Sequence, residues 1–146
     1  MTHFLGTHTN KLDAKGRVSI PASFRAALRE DPAGGAIVLR RSHILPCIDV
    51  WPLAMLNRAA AKLETLDPLS AEYDALSARV YGDSHRTEPD KEGRIVVPER
   101  YLAYAGIADT VSVSGRGLYF QLWEPKRGEA RLSDVMRPPP PARADE

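Results

Sequence analysis

Residues 13–25 read DAKGRVSIPASFR, and residues 90–102 read DKEGRIVVPERYL. At a constant offset of 77 residues, Asp13 matches Asp90, Gly16 matches Gly93, Arg17 matches Arg94, and Pro21 matches Pro98. Val18/Ile95, Ile20/Val97 and Phe24/Tyr101 are conservative replacements in the same frame. Such a match marks an internal duplication. In each copy Asp-x-x-Gly is turn chemistry: the carboxylate accepts backbone N–H bonds and the glycine supplies a positive φ. The stretches before and after the first turn, GTHTNKL and RVSI, are expected to be the two strands of a hairpin. The proline that stops RVSIP and RIVVP suits the start of a helix, so PASFRAALRE and PERYLAYAGI should be short helices, the second stopped at Gly106.

Each copy continues into a β-rich stretch closing on tryptophan, residues 36–52 with Trp51 and residues 110–125 with Trp123, both read as packing residues. The repeating unit is therefore strand, turn, strand, short helix, strand, strand. The fold class is α+β. Between the copies, Leu56, Ala59, Leu63 and Leu66 recur at helical spacing and Pro68 interrupts them. Ser70 is then the expected N-cap of a second helix with Leu69, Tyr73, Leu76 and Val80 on one face, which would make the insert an αα-hairpin. The expected organisation is a first unit at 4–52, the insert at 53–82, a second unit at 83–125, and a partly disordered tail at 126–146 ending RPPPPARADE.

The composition, 43% hydrophobic and 27% charged, is that of a globular protein. No apolar run reaches the roughly 20 residues of a membrane span, and the start lacks a signal peptide's pattern, so a cytoplasmic protein is expected. Cys47 is the one cysteine, which excludes an internal disulfide, and the four histidines have no zinc-type spacing. His43 and Cys47 make half a site at most; no metal and no cofactor are expected. No serine sits in a nucleophile elbow, GRG and GGA lack a phosphate loop's context, and His3 and His8 beside Asp13 are read as ordinary polar residues. An enzyme is not expected.

The net charge of +1 says nothing for a polyanionic partner, so charge distribution decides. Residues 1–30 carry Lys11, Lys15, Arg17, Arg25 and Arg29 against Asp13 and Glu30, a net +3, while residues 86–107 are balanced. The aspartates read as turn-stabilising. Arg17 re-enters its strand beside Lys15, with Lys11 and Arg25 further off, and a rigid loop of this kind can set a guanidinium on guanine O6 and N7 while neighbouring cations hold phosphates.

The opening FLGTHTNKLDAKGRVSIPASFR, the repeated DKEGRIVVPERYLAYAGI and the helical insert between them resemble the MraZ family, from Phe4 to about Trp123. The resemblance implies two AbrB-like (SpoVT-AbrB) units forming a swapped-hairpin β-barrel. It implies a sequence-specific, nucleoid-associated transcriptional regulator, with repression the expected sign, assembled as a homo-oligomeric ring. Its target would be double-stranded DNA, at direct repeats in the promoter of the division and cell wall gene cluster that includes its own gene. The family's DNA-contacting motif falls on Asp13 and Arg17, and on Asp90 and Arg94. With the charge contrast, the candidate DNA-binding set is Lys11, Asp13, Lys15, Arg17, Arg25 and Arg94, the first hairpin reading DNA and the second completing the barrel or lying near a subunit interface. The other reading is an AbrB-fold interaction or structural protein that binds a protein partner, as antitoxins bind toxins through a flexible acidic tail.

Overall fold

Short, branched-apolar segments separated by turn residues produce eight strands among the described residues, and the helices fill the connections between them. The computed structural model describes residues 3–142. The strands are β1 (Thr7–Lys11), β2 (Arg17–Ser19), β3 (Ile37–Arg41), β4 (Ile48–Pro52), β5 (His85–Thr87), β6 (Arg94–Val96), β7 (Thr110–Gly115) and β8 (Phe120–Trp123). The helices are α1 (Ala22–Arg29), α2 (Leu53–Ala59), α3 (Ala71–Ser77), α4 (Glu99–Ala105) and α5 (Pro125–Val135). Six strands form one antiparallel sheet in the order β1-β7-β8-β4-β3-β5, and β2 and β6 form a separate two-stranded antiparallel ribbon. The class is mixed α+β.

The order of strands shows how the copies combine. Only β3–β4 and β7–β8 pair within a copy, whereas β1 pairs with β7, β2 with β6, β4 with β8, and β5 with β3. The hairpin expected between GTHTNKL and RVSI therefore forms only at its turn end. There the Asp13 N–H donates to the Arg17 carbonyl (2.9 Å) and Leu12 bridges Val18, after which the strands part to opposite-copy partners. The reason is burial. A three-residue strand has one inward side chain, and pairing β2 with β6 sets Val18 beside Ile95, each 1% exposed, over the core of the large sheet. The ribbon is lengthened at both ends by Ile20 N–H to the Gly93 carbonyl (2.9 Å) and Val97 N–H to the Gly16 carbonyl (2.8 Å).

The matched aromatic position packs differently in each copy. Phe24 of α1 joins Phe4 and Phe120, with ring centroids 5.3 and 5.1 Å away. Tyr101 of α4 is equally buried, and its hydroxyl donates to the Asp83 carbonyl, holding α4 against the segment that leads into β5. Asp83 also accepts from Arg41 at the end of β3 (2.6 Å). Gly106 ends α4 in the left-handed region (φ 69°), as the sequence predicts.

The insert is helical but less regular than its leucine spacing suggests. A 3₁₀ segment, Ala60–Thr65, follows α2, and a π-helical turn, Ala78–Gly82, follows α3. Leu56 and Leu63 are buried and Ser70 caps α3 by accepting the Tyr73 N–H (3.1 Å), but Leu69, expected on the apolar face, is 94% exposed. It precedes the cap and lies outside the helix, so helical periodicity does not apply to it. Beyond Trp123, the Glu124 carboxylate caps α5 through the Lys126 and Arg127 N–H groups. Gly128 lets this helix lie on the sheet, since a Cβ there would come 2.9 Å from Trp123 Cβ. Residues 137–142 form no helix or strand, and the expectation for RADE, 143–146, lies outside the described residues.

Candidate nucleic-acid interface

The two Asp-x-x-Gly turns have one geometry. Asp13 Oδ1 accepts the N–H groups of Lys15 (2.9 Å) and Arg17 (2.8 Å), and its Oδ2 accepts Arg17 Nε–H (2.7 Å). Asp90 repeats this with Glu92 (2.9 Å), Arg94 (2.9 Å) and Arg94 Nε–H (3.1 Å). Gly16 and Gly93 take φ of 78° and 79°, the conformation that closes each turn. The Arg17 N–H, followed by its side chain and the Lys15 N–H, holds the Asp13 carboxyl below the usual carboxylate range; the Arg94 N–H does the same first for Asp90. The aspartates are therefore braces that fix each arginine's backbone and the inner edge of its guanidinium.

The ribbon then sets the arginines on one surface. Residues facing each other in an antiparallel pair project to the same side. Arg17 faces Val96 and Ser19 faces Arg94, so these four form the outer face, while Val18 and Ile95 form the buried one. Arg17 and Arg94 are diagonal neighbours across the ribbon, roughly 7–8 Å apart at Cα by strand geometry. A two-stranded ribbon fits the major groove of B-DNA, and arginine's fork fits the acceptor pair of guanine there.

The arginines differ in what else they meet. Arg94 Nη2 also donates to Glu92 Oε2 (2.8 Å), so its outer edge is occupied. Position 15, which corresponds to Glu92, is an exposed lysine. Among the described residues, Arg17 is ion-paired to Asp13 alone.

Of the six candidates, the structure gathers four, Asp13, Lys15 and Arg17 at the first turn and Arg94 across the ribbon. Arg25 lies elsewhere. It packs on Gly93 of the second turn, where a Cβ would collide with it, and its Nη1 donates to the Glu92 carbonyl (3.4 Å). Leu102, its counterpart, lies against Gly16 of the first turn. Lys11 is on the face of β1 opposite Asn10, the residue that donates to the Ser19 carbonyl (2.6 Å), and so alternates away from the ribbon. The charge contrast along the chain is therefore softened in space: Arg25 and Arg29 of the first copy line a groove with Glu88, Asp90 and Lys91 of the second, while Glu99 lies near the first turn. What persists is the difference between Lys15 and Glu92 at the tips.

Sequence reading missed Ser19 and Val96, although the period of two in RVS and RIV places each on its arginine's face. It also missed a buried polar layer. Arg40 Nη1 donates to Asp49 Oδ2 (3.1 Å), Gln121 Nε2 to Asp49 Oδ1 (3.0 Å), Trp123 Nε1 to Gln121 Oε1 (3.0 Å), and Arg40 Nη2 to the Arg79 carbonyl (2.7 Å). This layer ties both copies to the insert. Burial raises the Asp49 carboxyl, opposed by Gln121 and Arg40, and burial pushes the Cys47 thiol up to about 12. No group of three or more metal-ligating side chains occurs among the described residues, and no helix there is long and apolar enough to cross a membrane.

Comparison with known proteins matches residues 3–75 and 80–135 to the family described as "MraZ protein, putative antitoxin-like". The chain is 46% identical over 137 residues to the "Transcriptional regulator MraZ" of Gluconacetobacter diazotrophicus, covering 92% of this chain and 87% of that one. It is 45% identical to the protein of the same description from Gluconobacter oxydans, with coverages of 90% and 81%. The Rickettsia felis relative is 33% identical, with coverages of 94% and 91%.

Proposed function

The chain belongs to the MraZ family of transcriptional regulators, and from that premise we propose that it regulates transcription by laying the outer face of its β2–β6 ribbon in the major groove of double-stranded DNA. The observation that carries this reading is the shared outward face of Arg17 and Arg94, each braced by its own aspartate. Arg17 is the principal base reader, because its outer edge is open and Lys15 beside it adds a phosphate contact, whereas Glu92 occupies Arg94 and repels phosphate. Asp13 and Asp90 position the arginines. Arg25 acts through the second turn, and Lys11 adds a more distant cation.

The family resemblance extends the proposal. The chain's units, 4–52 and 83–125, form one AbrB-like barrel by exchange of hairpins, a reading supported by strand pairing across the copies. Subunits assemble into a ring in the cytoplasm, at the nucleoid, and occupy direct repeats in the promoter of the division and cell wall gene cluster that includes the gene for this protein, most simply as a repressor. A ring suits a protein of net charge +1, since several modest contacts on successive repeats gain from effective concentration.

Fluorescence anisotropy of that promoter segment, titrated with wild-type protein at two salt concentrations, tests the function. Saturable binding that survives excess unrelated duplex and weakens with salt is expected; equal affinity for promoter and unrelated DNA counts against it. The words "antitoxin-like" in the family description favour one other reading, binding of a protein partner through the tail. Deletion of residues 137–146 separates the two: a DNA regulator keeps its promoter affinity, and an antitoxin-like protein loses its partner.

A further inference from the structure

The four residues on the ribbon's outer face are two equivalent pairs. Arg17 corresponds to Arg94, and Ser19 corresponds to Val96. Were the copies identical, the face would have a two-fold axis through its centre and would read a site equally well in either direction. The arginines keep that symmetry. The residues between them break it, with a hydroxyl opposite Arg94 and two methyl groups opposite Arg17.

We propose that Val96 reads a thymine C5-methyl group in the major groove, next to the base read by Arg17, and that the Ser19/Val96 difference fixes the direction in which the ribbon lies on each site. This rests on the DNA-reading function proposed above and adds to it the specificity-determining residues. A lone exposed valine is ordinary on a protein surface. This one is 50% exposed at the end of a strand whose other outward side chain is Arg94, and its register partner across the ribbon is Arg17. It therefore faces whatever the neighbouring guanidinium reaches across, and Arg17 lying along the groove brings the Val96 methyls toward the base edge beside the one the arginine reads.

The chemistry narrows what that edge is. The thymine methyl is the one apolar group that base pairs display in the major groove. Side chains facing each other across the ribbon start about 5 Å apart at Cβ, between one and two base-pair rises of about 3.4 Å, so Arg17 and Val96 meet the same or adjacent base pairs. Ser19, with a donor and an acceptor, tolerates either base type at the other end. An oriented reader suits repeats that all run one way, since each subunit then docks in the same sense.

Replacing thymine by uracil removes the methyl and nothing else. Duplexes of the promoter upstream of the protein's own gene, carrying uracil at one thymine position of every repeat, are titrated with wild type, Val96→Ser and Arg17→Ala. One position is expected to weaken wild-type binding about fourfold per engaged subunit, the effect of one buried methyl group. Val96→Ser should bind the thymine and uracil duplexes alike, and Arg17→Ala should lose specific binding to all of them. Ser19→Val, which restores the symmetry, should gain sensitivity at a second thymine position. If wild type binds the promoter but ignores uracil everywhere, or Val96→Ser keeps the wild-type sensitivity, Val96 is not a reader and the DNA function stands. If wild type shows no specific binding, the function it rests on fails and this inference with it.

Discussion

Arg17 and Arg94 occupy the same place in a duplicated motif, and a single side chain at the turn tip separates them. Lys15 leaves the outer edge of Arg17 open, whereas Glu92 holds Arg94 at 2.8 Å. Exchanging that residue should therefore move activity between the copies: Glu92→Lys is expected to strengthen promoter binding and steepen its salt dependence, both readable by anisotropy, and an unchanged salt slope would show that the second turn stays clear of phosphate. The aspartates respond to acid. Their folded-state pKa values lie below the ordinary 3.8, so their contribution to stability is complete above that value and is lost as pH falls through the folded value. Melting temperature should fall on acidification below about pH 4, and the fall should shrink when Asp13→Asn and Asp90→Asn are combined. The turns were legible in the sequence because Asp, Gly and Arg act within five residues of one another. The position of Arg25 was not, because it depends on which copy's turn α1 packs against.

At the scale of strands and helices, local signals identified most elements and failed to identify partners. RVSIP and RIVVP announce strands that end in helices, and both are present as β2–α1 and β6–α4. That β2 would pair with β6 and not with β1 depends on burying Val18 against Ile95, a contact between residues 77 apart. The same limit hid the buried layer. In IVLRR, Arg40 reads as the polar end of a strand, and only pairing of β3 with β4 and β4 with β8 brings Asp49 and Gln121 to it. Asp49→Ala leaves Arg40 buried without its carboxylate and should cost about 3–5 kcal/mol, measured by urea unfolding. A loss under 1 kcal/mol would mean that water replaces the carboxylate there. Cys47 is fully buried beside this layer, with its thiol raised to about 12, so alkylation by iodoacetamide should be slow in native protein and fast in denaturant.

Across the whole molecule, the copies are halves of one body and not two domains in series. Four of the six strand pairings join one copy to the other. Residues 1–78 and 79–146, expressed separately, are each expected to be unfolded by circular dichroism and to regain β structure on mixing; a folded first half would refute interdependence. The duplication was visible from the sequence, while the spatial mixing of the copies' charges appears only in the fold. The consequence is a single ribbon carrying one arginine from each copy, each braced by its own aspartate on the same outward face. The most direct test of that ribbon is anisotropy on a duplex holding a single promoter repeat, with wild type, Arg17→Ala, Arg94→Ala and the double variant, all checked for native melting and size. The expected result is a loss on the order of 1–3 kcal/mol per engaged subunit for Arg17→Ala, a smaller loss for Arg94→Ala, and no specific binding by the double variant. Wild-type affinity in all three variants would contradict a DNA-reading ribbon and leave the two turns as braces of the fold alone.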